Sequence, residues 1–220
     1  MTLFPGVRSK EFQNLFFRQP LSEDETIIDC PALGRYLASN LSTRVHVKSL
    51  DFCPQENGVE LLSEFKPSVK YDRVVCLAAS HHIENISDFL GQLSTSLKVG
   101  GYFHIADVDS QSPISSFLDE FVGKWTSTGH RGIWRNLNEL LESNPVENLK
   151  VLRAEVRECP WIFKTQEQML EFCRLLFGLD LNPSDDQILG ALRDFVGVEI
   201  TRKSCKILWK LSYVDLVKNV

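Results

Sequence analysis

The residues with the clearest chemical capacity are two adjacent histidines, His81 and His82, directly after the apolar run "YDRVVCLAAS". An imidazole there could act as a general base near neutral pH, although histidines in such a turn also serve simply to pack and to hydrogen-bond backbone. A third histidine lies in "STGHRGIW", Ser127 to Trp134, a Gly-flanked segment. In it His130, Arg131 and Trp134 could grip an anionic or planar substrate through charge and stacking. The plainer alternative is a polar loop whose tryptophan anchors in the core. Asp107 and Asp109 lie two apart and would share a face of a continuing strand, but no His or Glu completes a ligand set around them, so no metal is expected. Six cysteines (Cys30, Cys53, Cys76, Cys159, Cys173, Cys205) include no Cys-x-x-Cys pair, so neither a zinc site nor a redox motif is written here. Gly-x-Ser-x-Gly, the Walker loop and the dinucleotide Gly-x-Gly-x-x-Gly are absent as well, which sets those enzyme classes aside.

The elements that must position these residues alternate in type. A helical opening at about Ser9–Arg18 is closed by Pro20. A strand at Thr26–Asp29, a helix at about Gly34–Asn40 and a strand at Arg44–Asp51 make one βαβ unit. "YDRVVCLAAS" reads as a buried strand, "ISDFLGQLSTSLKVGG" as an amphipathic helix closed by a glycine pair, and "YFHIADVD" as a further strand. Downstream, "SPISSFLDEFVGKW" and "IWRNLNELLESN" read as helices, "LKVLRAEVREC" as a strand, "TQEQMLEFCRLLFG" and "PSDDQILGALRDFVG" as a helix pair, and "CKILWKLSYVDLV" as one last strand. Alternating strands and helices imply a parallel sheet covered on both faces, with ligands at the carboxyl ends of its strands.

The 220 residues suit one domain able to bury its own core, with no linker or repeat to divide them. No apolar run approaches the roughly 20 residues needed to span a bilayer. The first residues lack the basic and apolar regions of a signal peptide, so a cytoplasmic location is expected. Net charge is −5, with 24 basic and 29 acidic residues and no basic stripe, which argues against nucleic acid and for a small molecule or a protein as partner.

The run from Tyr71 to Asp109 resembles the second half of class I S-adenosylmethionine-dependent methyltransferases. Tyr71 and Asp72 open a strand, His81 and His82 occupy the turn, Gly100 and Gly101 follow the "SLKV" leader, and Asp107 ends the next strand. The resemblance implies a three-layer α/β Rossmann-like sheet, mostly parallel with an antiparallel last strand, in a single domain over 1–220. It also implies an N-terminal lid helix within 1–20 and helical insertions at 110–145 and 160–200. By the same resemblance Asp29, Gly34, Asp51 and Ala79 would bind the cofactor, with Asp51 accepting hydrogen bonds from the ribose hydroxyls. His81, His82 and His130 would be the catalytic candidates, and Asp107, Arg131 and Trp134 would face the substrate.

Two departures stand against the family pattern. In "TIIDCPALGRYLASNL" the glycines expected after the first strand are replaced by Cys30, Pro31, Ala32 and Leu33, and only Gly34 remains. Pro31 offers no N–H and Leu33 adds bulk, so S-adenosylmethionine would bind weakly or not at all. The second departure is length. The interval from Asp29 to Asp51 suits one βα crossover, but the interval from Asp51 to Asp72 is no longer, where the family holds a whole helix, strand 3 and a loop. Either strand 3 is vestigial, which the spacing favours, or strand 2 has been lost. Two functions follow: a methyltransferase acting on a small metabolite, or a methyltransferase-fold protein without methyl transfer, serving as a binding partner or a repurposed enzyme.

Overall fold

The computed structural model describes residues 4, 6–32, 36–41, 45–53, 57–142 and 147–219. Its strands are β1 (Thr26–Asp29), β2 (His46–Asp51), β3 (Val59–Leu61), β4 (Tyr71–Leu77), β5 (Leu97–Asp107), β6 (Leu149–Glu158), β7 (Trp161–Phe163), β8 (Val198–Ile200), β9 (Cys205–Ile207) and β10 (Lys210–Lys218). Seven of them form one sheet in the order β3-β2-β1-β4-β5-β10-β6, and β7-β9-β8 form a second. The helices are α1 (Ser9–Leu15), α2 (Tyr36–Asn40), α3 (Ile86–Ser94), α4 (Pro113–Ser116), α5 (Gly123–Trp125), α6 (Leu137–Glu142), α7 (Gln166–Phe177) and α8 (Asp185–Ala191). Among the described residues no helix is long and apolar enough to cross a membrane.

The chain gathers into two units. The first comprises Leu15–Asp107, Arg135–Glu155 and Ser212–Val220. Here β1 runs parallel to both β2 and β4, with Ile28 opposite Lys48 and Val74, and β4 runs parallel to β5. The last strand, β10, is antiparallel to β5, with Val214 opposite Ile105. The expected mostly parallel sheet with an antiparallel last strand is therefore present. In β4 the run Val74, Val75, Cys76 and Leu77 is buried, so apolar side chains lie on both faces of that strand. Asn85 caps α3 by accepting from the Asp88 amide, and Ile86, Phe89, Leu90 and Leu93 recur at helical spacing on its buried side. They pack with Ile28, Val74 and Phe103 in one apolar cluster.

The other face of the sheet carries a buried ionic chain set among aromatic residues such as Phe16 and Tyr213. Arg73, 2 % exposed, donates to Glu25, to the Gln19 and Pro20 carbonyls, and meets His104 Nε2 at 3.0 Å. His104 Nδ1 meets Asp215 at 2.8 Å, and Asp215 is paired with Arg153 at 2.7 Å. Burial, together with the charges of Arg73 and Arg153, holds the His104 imidazole below its usual range against the pull of Asp215.

The second unit comprises Met1–Asn14, Val108–Trp134 and Val156–Leu211. Helix α4 continues through a π-helical segment, Phe117–Val122, into α5, and α8 continues through another, Leu192–Val196. Trp161 stacks on Trp209 with ring centres 4.2 Å apart, and its indole N–H donates to Glu11 of α1 at 2.6 Å.

Two sequence expectations change, and a third, a vestigial strand 3, is met. The glycine pair does not close α3, which ends at Ser94; Gly100 and Gly101 lie inside β5. Two steps along β4, from Tyr71 to Arg73, face five along β5, from Leu97 to Tyr102, and Gly100 takes φ +78° within this bulge. A Cβ on Gly101 would stand 2.9 Å from the Asp72 and Lys98 carbonyl oxygens, so the strands close there only over glycine. "CKILWKLSYVDLV" is not one strand but two, β9 and β10, in different sheets. Strand 3 survives as the three residues of β3, parallel to β2, which keeps Asp51 at the end of strand 2.

Candidate functional site

In the sheet unit the parallel strands β1, β2, β4 and β5 end on the same side, at Asp29, Asp51, Leu77 and Asp107. The strand order reverses direction between β1 and β4, the place where open α/β sheets receive ligands. Asp29 is 3 % exposed and, among the described residues, its Oδ2 has no hydrogen-bond partner. Burial, then the nearby charge of Asp51, pushes its carboxyl up from an ordinary 3.8 to about 7. The same burial, with the Asp29 and Asp51 charges behind it, raises the Cys30 thiol far above the usual range. Asp51 Oδ1 accepts from the Cys53 amide at 3.3 Å, so the carboxylate also caps the turn that ends β2.

After Asp29 the chain does not leave the sheet as a glycine loop would. The Cys30 amide donates to Val75 O at 2.9 Å and the Ala32 amide to Leu50 O at 2.8 Å. Pro31 between them has no N–H, and the Cys30–Pro31 bond is cis. Two amides that a glycine loop would turn to a ligand thus complete the ladders to β4 and β2 instead. Leu33 and Gly34 lie outside the described residues.

Beyond β4 the backbone turns through Ala78, at φ +51°, whose amide donates to Ala106 O at 2.6 Å. Ala79 is fully buried and its carbonyl accepts from the His82 amide. The following turn, Ser80–His82, is fastened to the end of β5. Asp107 Oδ2 accepts from Ser80 Oγ at 2.6 Å and from the His81 amide at 2.9 Å, and His81 Nδ1 stands 3.0 Å from both carboxylate oxygens. His81 is buried, and the exposed His82 stacks beside it with ring centres 4.0 Å apart. Arg135 clamps the same turn by donating to the carbonyls of Ser80, Ile83 and Glu84. The fold thus joins His81, His82, Ala79 and Asp107 in one cluster, with Asp107 orienting a histidine. Ser80 and Arg135 are members that the sequence did not announce, because an isolated serine and arginine carry no local signal of a partner on a distant element.

His130, Arg131 and Trp134 belong to the second unit, where Asp119 organises them. Asp119 accepts from the Gly132 amide at 2.9 Å and from Trp134 Nε1 at 2.7 Å, with His130 Nδ1 at 3.4 Å. The imidazole and indole stack with ring centres 5.9 Å apart, and the indole lies so close over Gly132 that a Cβ there would fall 2.4 Å from it. Arg131 is exposed. Asp119 is another residue without a sequence signal.

No protein-family model and no curated protein matches the chain. Solved structures do. The YcgJ protein from Bacillus subtilis shares 14 % identity over 96 % of this chain and 98 % of its own, at a TM-score of 0.61. A coclaurine N-methyltransferase bound to N-methylheliamine and S-adenosylhomocysteine shares 11 % identity over 96 % of this chain and 72 % of its own, at 0.57. Phosphoethanolamine N-methyltransferase 2 of Haemonchus contortus, in complex with phosphomonomethylethanolamine and S-adenosylhomocysteine, shares 14 % over 99 % of this chain and 54 % of its own, also at 0.57. With the sheet order above, the fold is that of the class I methyltransferases.

Proposed function

We propose that the chain is an S-adenosylmethionine-dependent methyltransferase for a small molecule, holding the cofactor at the carboxyl ends of β1 and β2. The observation that carries this reading is the buried carboxylate oxygen of Asp29, one strand from Asp51 and without a hydrogen-bond partner among the described residues. A buried acid without a donor is unfavourable unless a ligand supplies one, and Asp51 suits a diol. The small amines bound by the coclaurine and phosphoethanolamine enzymes favour a small-molecule acceptor here. When bound, the cofactor supplies an electrophilic methyl group. The protein's own part is positioning and proton removal. With Nδ1–H donated to Asp107, the neutral His81 imidazole carries its basic lone pair on Nε2, the atom that would take a proton from the nucleophile. His82 and His130 are further candidates for that proton, and Arg131 and Trp134 for contact with the acceptor.

A second reading, a methyltransferase fold without methyl transfer, is favoured by one specific observation: the Cys30 and Ala32 amides already donate to backbone and Pro31 has none to offer. Isothermal titration of S-adenosylmethionine into the wild type, Asp51→Ala and Pro31→Gly separates the two. The first reading expects binding on the order of tens of micromolar, weakened roughly tenfold by Asp51→Ala and strengthened by Pro31→Gly. Absence of binding by both the wild type and Pro31→Gly would leave the second reading standing.

A further inference from the structure

Strand β6 is the outermost strand of the seven-stranded sheet, ten residues long, with β10 on one side only. Leu149 and Arg153 are buried, but Lys150, Leu152, Ala154, Val156 and Glu158 are all exposed. Side chains two apart share a face of a strand, so these five make one continuous stripe. Leu152 is 44 % exposed and Val156 51 %, and Val151 adds a third exposed apolar residue on the opposite face at 38 %. Long edge strands with exposed apolar residues invite another strand, and monomeric proteins blunt them with a repelling charge or a proline. Proline is absent from β6, and its charges are of both signs.

The order of the stripe, Lys-Leu-Ala-Val-Glu, is complementary to itself when reversed. We infer that β6 pairs antiparallel with β6 of a second copy of this chain about a two-fold axis at Ala154, joining the two sheets edge to edge. In that register Lys150 faces Glu158, Leu152 faces Val156, and Ala154 faces itself, each on the same side of the joined sheet. On the other side Val151 faces Arg157, while Arg153 stays paired with Asp215 within its own chain. Opposite charges and apolar side chains in directly opposed positions are the pairs that stabilise antiparallel strands. A register slip by one position would place Lys150 opposite Arg157 and bring Leu152 to Glu155. Within one chain the exposed Glu158 carboxylate also meets Lys210 at 3.5 Å. A two-fold axis makes each such pair occur twice, so a single substitution acts at two places in the interface.

Sedimentation equilibrium of the full chain over a concentration series tests this. The wild type is expected to dimerise. Lys150→Glu sets glutamates against each other twice and should weaken the dimer by at least about tenfold. The double variant Lys150→Glu, Glu158→Lys should restore it, which a variant that merely misfolds would not do. Register is read separately in a Cys53→Ser background, which removes the exposed thiol. Directly opposed Cα atoms lie about 4.5–5.5 Å apart, within disulfide range, so Ala154→Cys should cross-link with itself on mild oxidation while Leu152→Cys should not. A wild type that stays monomeric, a dimer indifferent to Lys150→Glu, or a Leu152→Cys cross-link as fast as that of Ala154→Cys would each overturn the inference.

Discussion

Asp29 keeps its proton at a pH where an exposed aspartate has lost it, and this ties the candidate site to stability. Because its folded pKa is raised, from an ordinary 3.8 to about 7, the folded state is favoured below the unfolded pKa and loses that advantage as pH climbs towards 7. Asp29→Asn removes the penalty. Thermal and urea denaturation should show the variant stabilised at pH 8 by up to about 4 kcal/mol and little changed at pH 3. A stabilisation equal at both pH values would mean that the carboxyl does not carry the effect. His81 offers the second residue-scale prediction. On the proposed function, Asp107→Asn should lower methyl transfer by about a hundredfold or more while cofactor affinity stays within a few fold, because the imidazole loses the partner that fixes its tautomer. Turnover with a labelled methyl donor, set beside titration of the cofactor, checks this.

At the scale of elements, two close approaches make glycine obligatory where a helix end or loop was expected. Gly101 sits against the Asp72 and Lys98 carbonyl oxygens, both backbone atoms that cannot swing aside. Gly101→Ala should therefore cost about 1–3 kcal/mol, read as a lower urea midpoint at unchanged slope. In the second unit, Asp119 gathers the Gly132 amide, the Trp134 indole and His130 onto one carboxylate. The same loop is tied at its start by Ser127, whose amide donates to Asp180. Lys150 and Glu158 matter at this scale for a different reason: the chemistry of β6 is laid out along the strand, so the element as a whole is complementary to its own reverse.

For the molecule as a whole, the ionic chain Arg73–His104–Asp215–Arg153 is built into the buried packing on one face of the sheet. Such a network adds little net stability when complete, but removing one member is strongly destabilising, because the buried charge beside it loses its compensating partner. Asp215→Asn should lower the unfolding free energy by about 3–5 kcal/mol, measured by chemical denaturation, although the residue lies at none of the strand ends of the candidate site. A loss below about 1 kcal/mol would show that solvent or a neighbouring acid takes over the role of Asp215.

Local sequence was enough to mark the βαβ opening, the strand at Tyr71 with its following helix, and the acids that end strands, Asp29, Asp51 and Asp107. Apolar runs, caps and turn residues are written within a few neighbours of each element, so their order can be read directly, and with it the class of fold. The partners of those residues could not be read. Asp107 meets His81 only because β4 and β5 lie side by side in a particular register, and Arg135 reaches the same turn from a remote part of the chain. The short strands β7, β8 and β9, three residues each, are too brief to show a period of two. The glycine pair read as a helix stop because its reason, a carbonyl approaching from another strand, is absent from its own neighbourhood. Pro31 and its neighbours show both sides at once: the sequence marks the missing glycines, but only the pairing of β1 with β2 and β4 decides where the remaining amides go. Short-range conformational preference determined the elements, and long-range strand pairing decided which side chains meet.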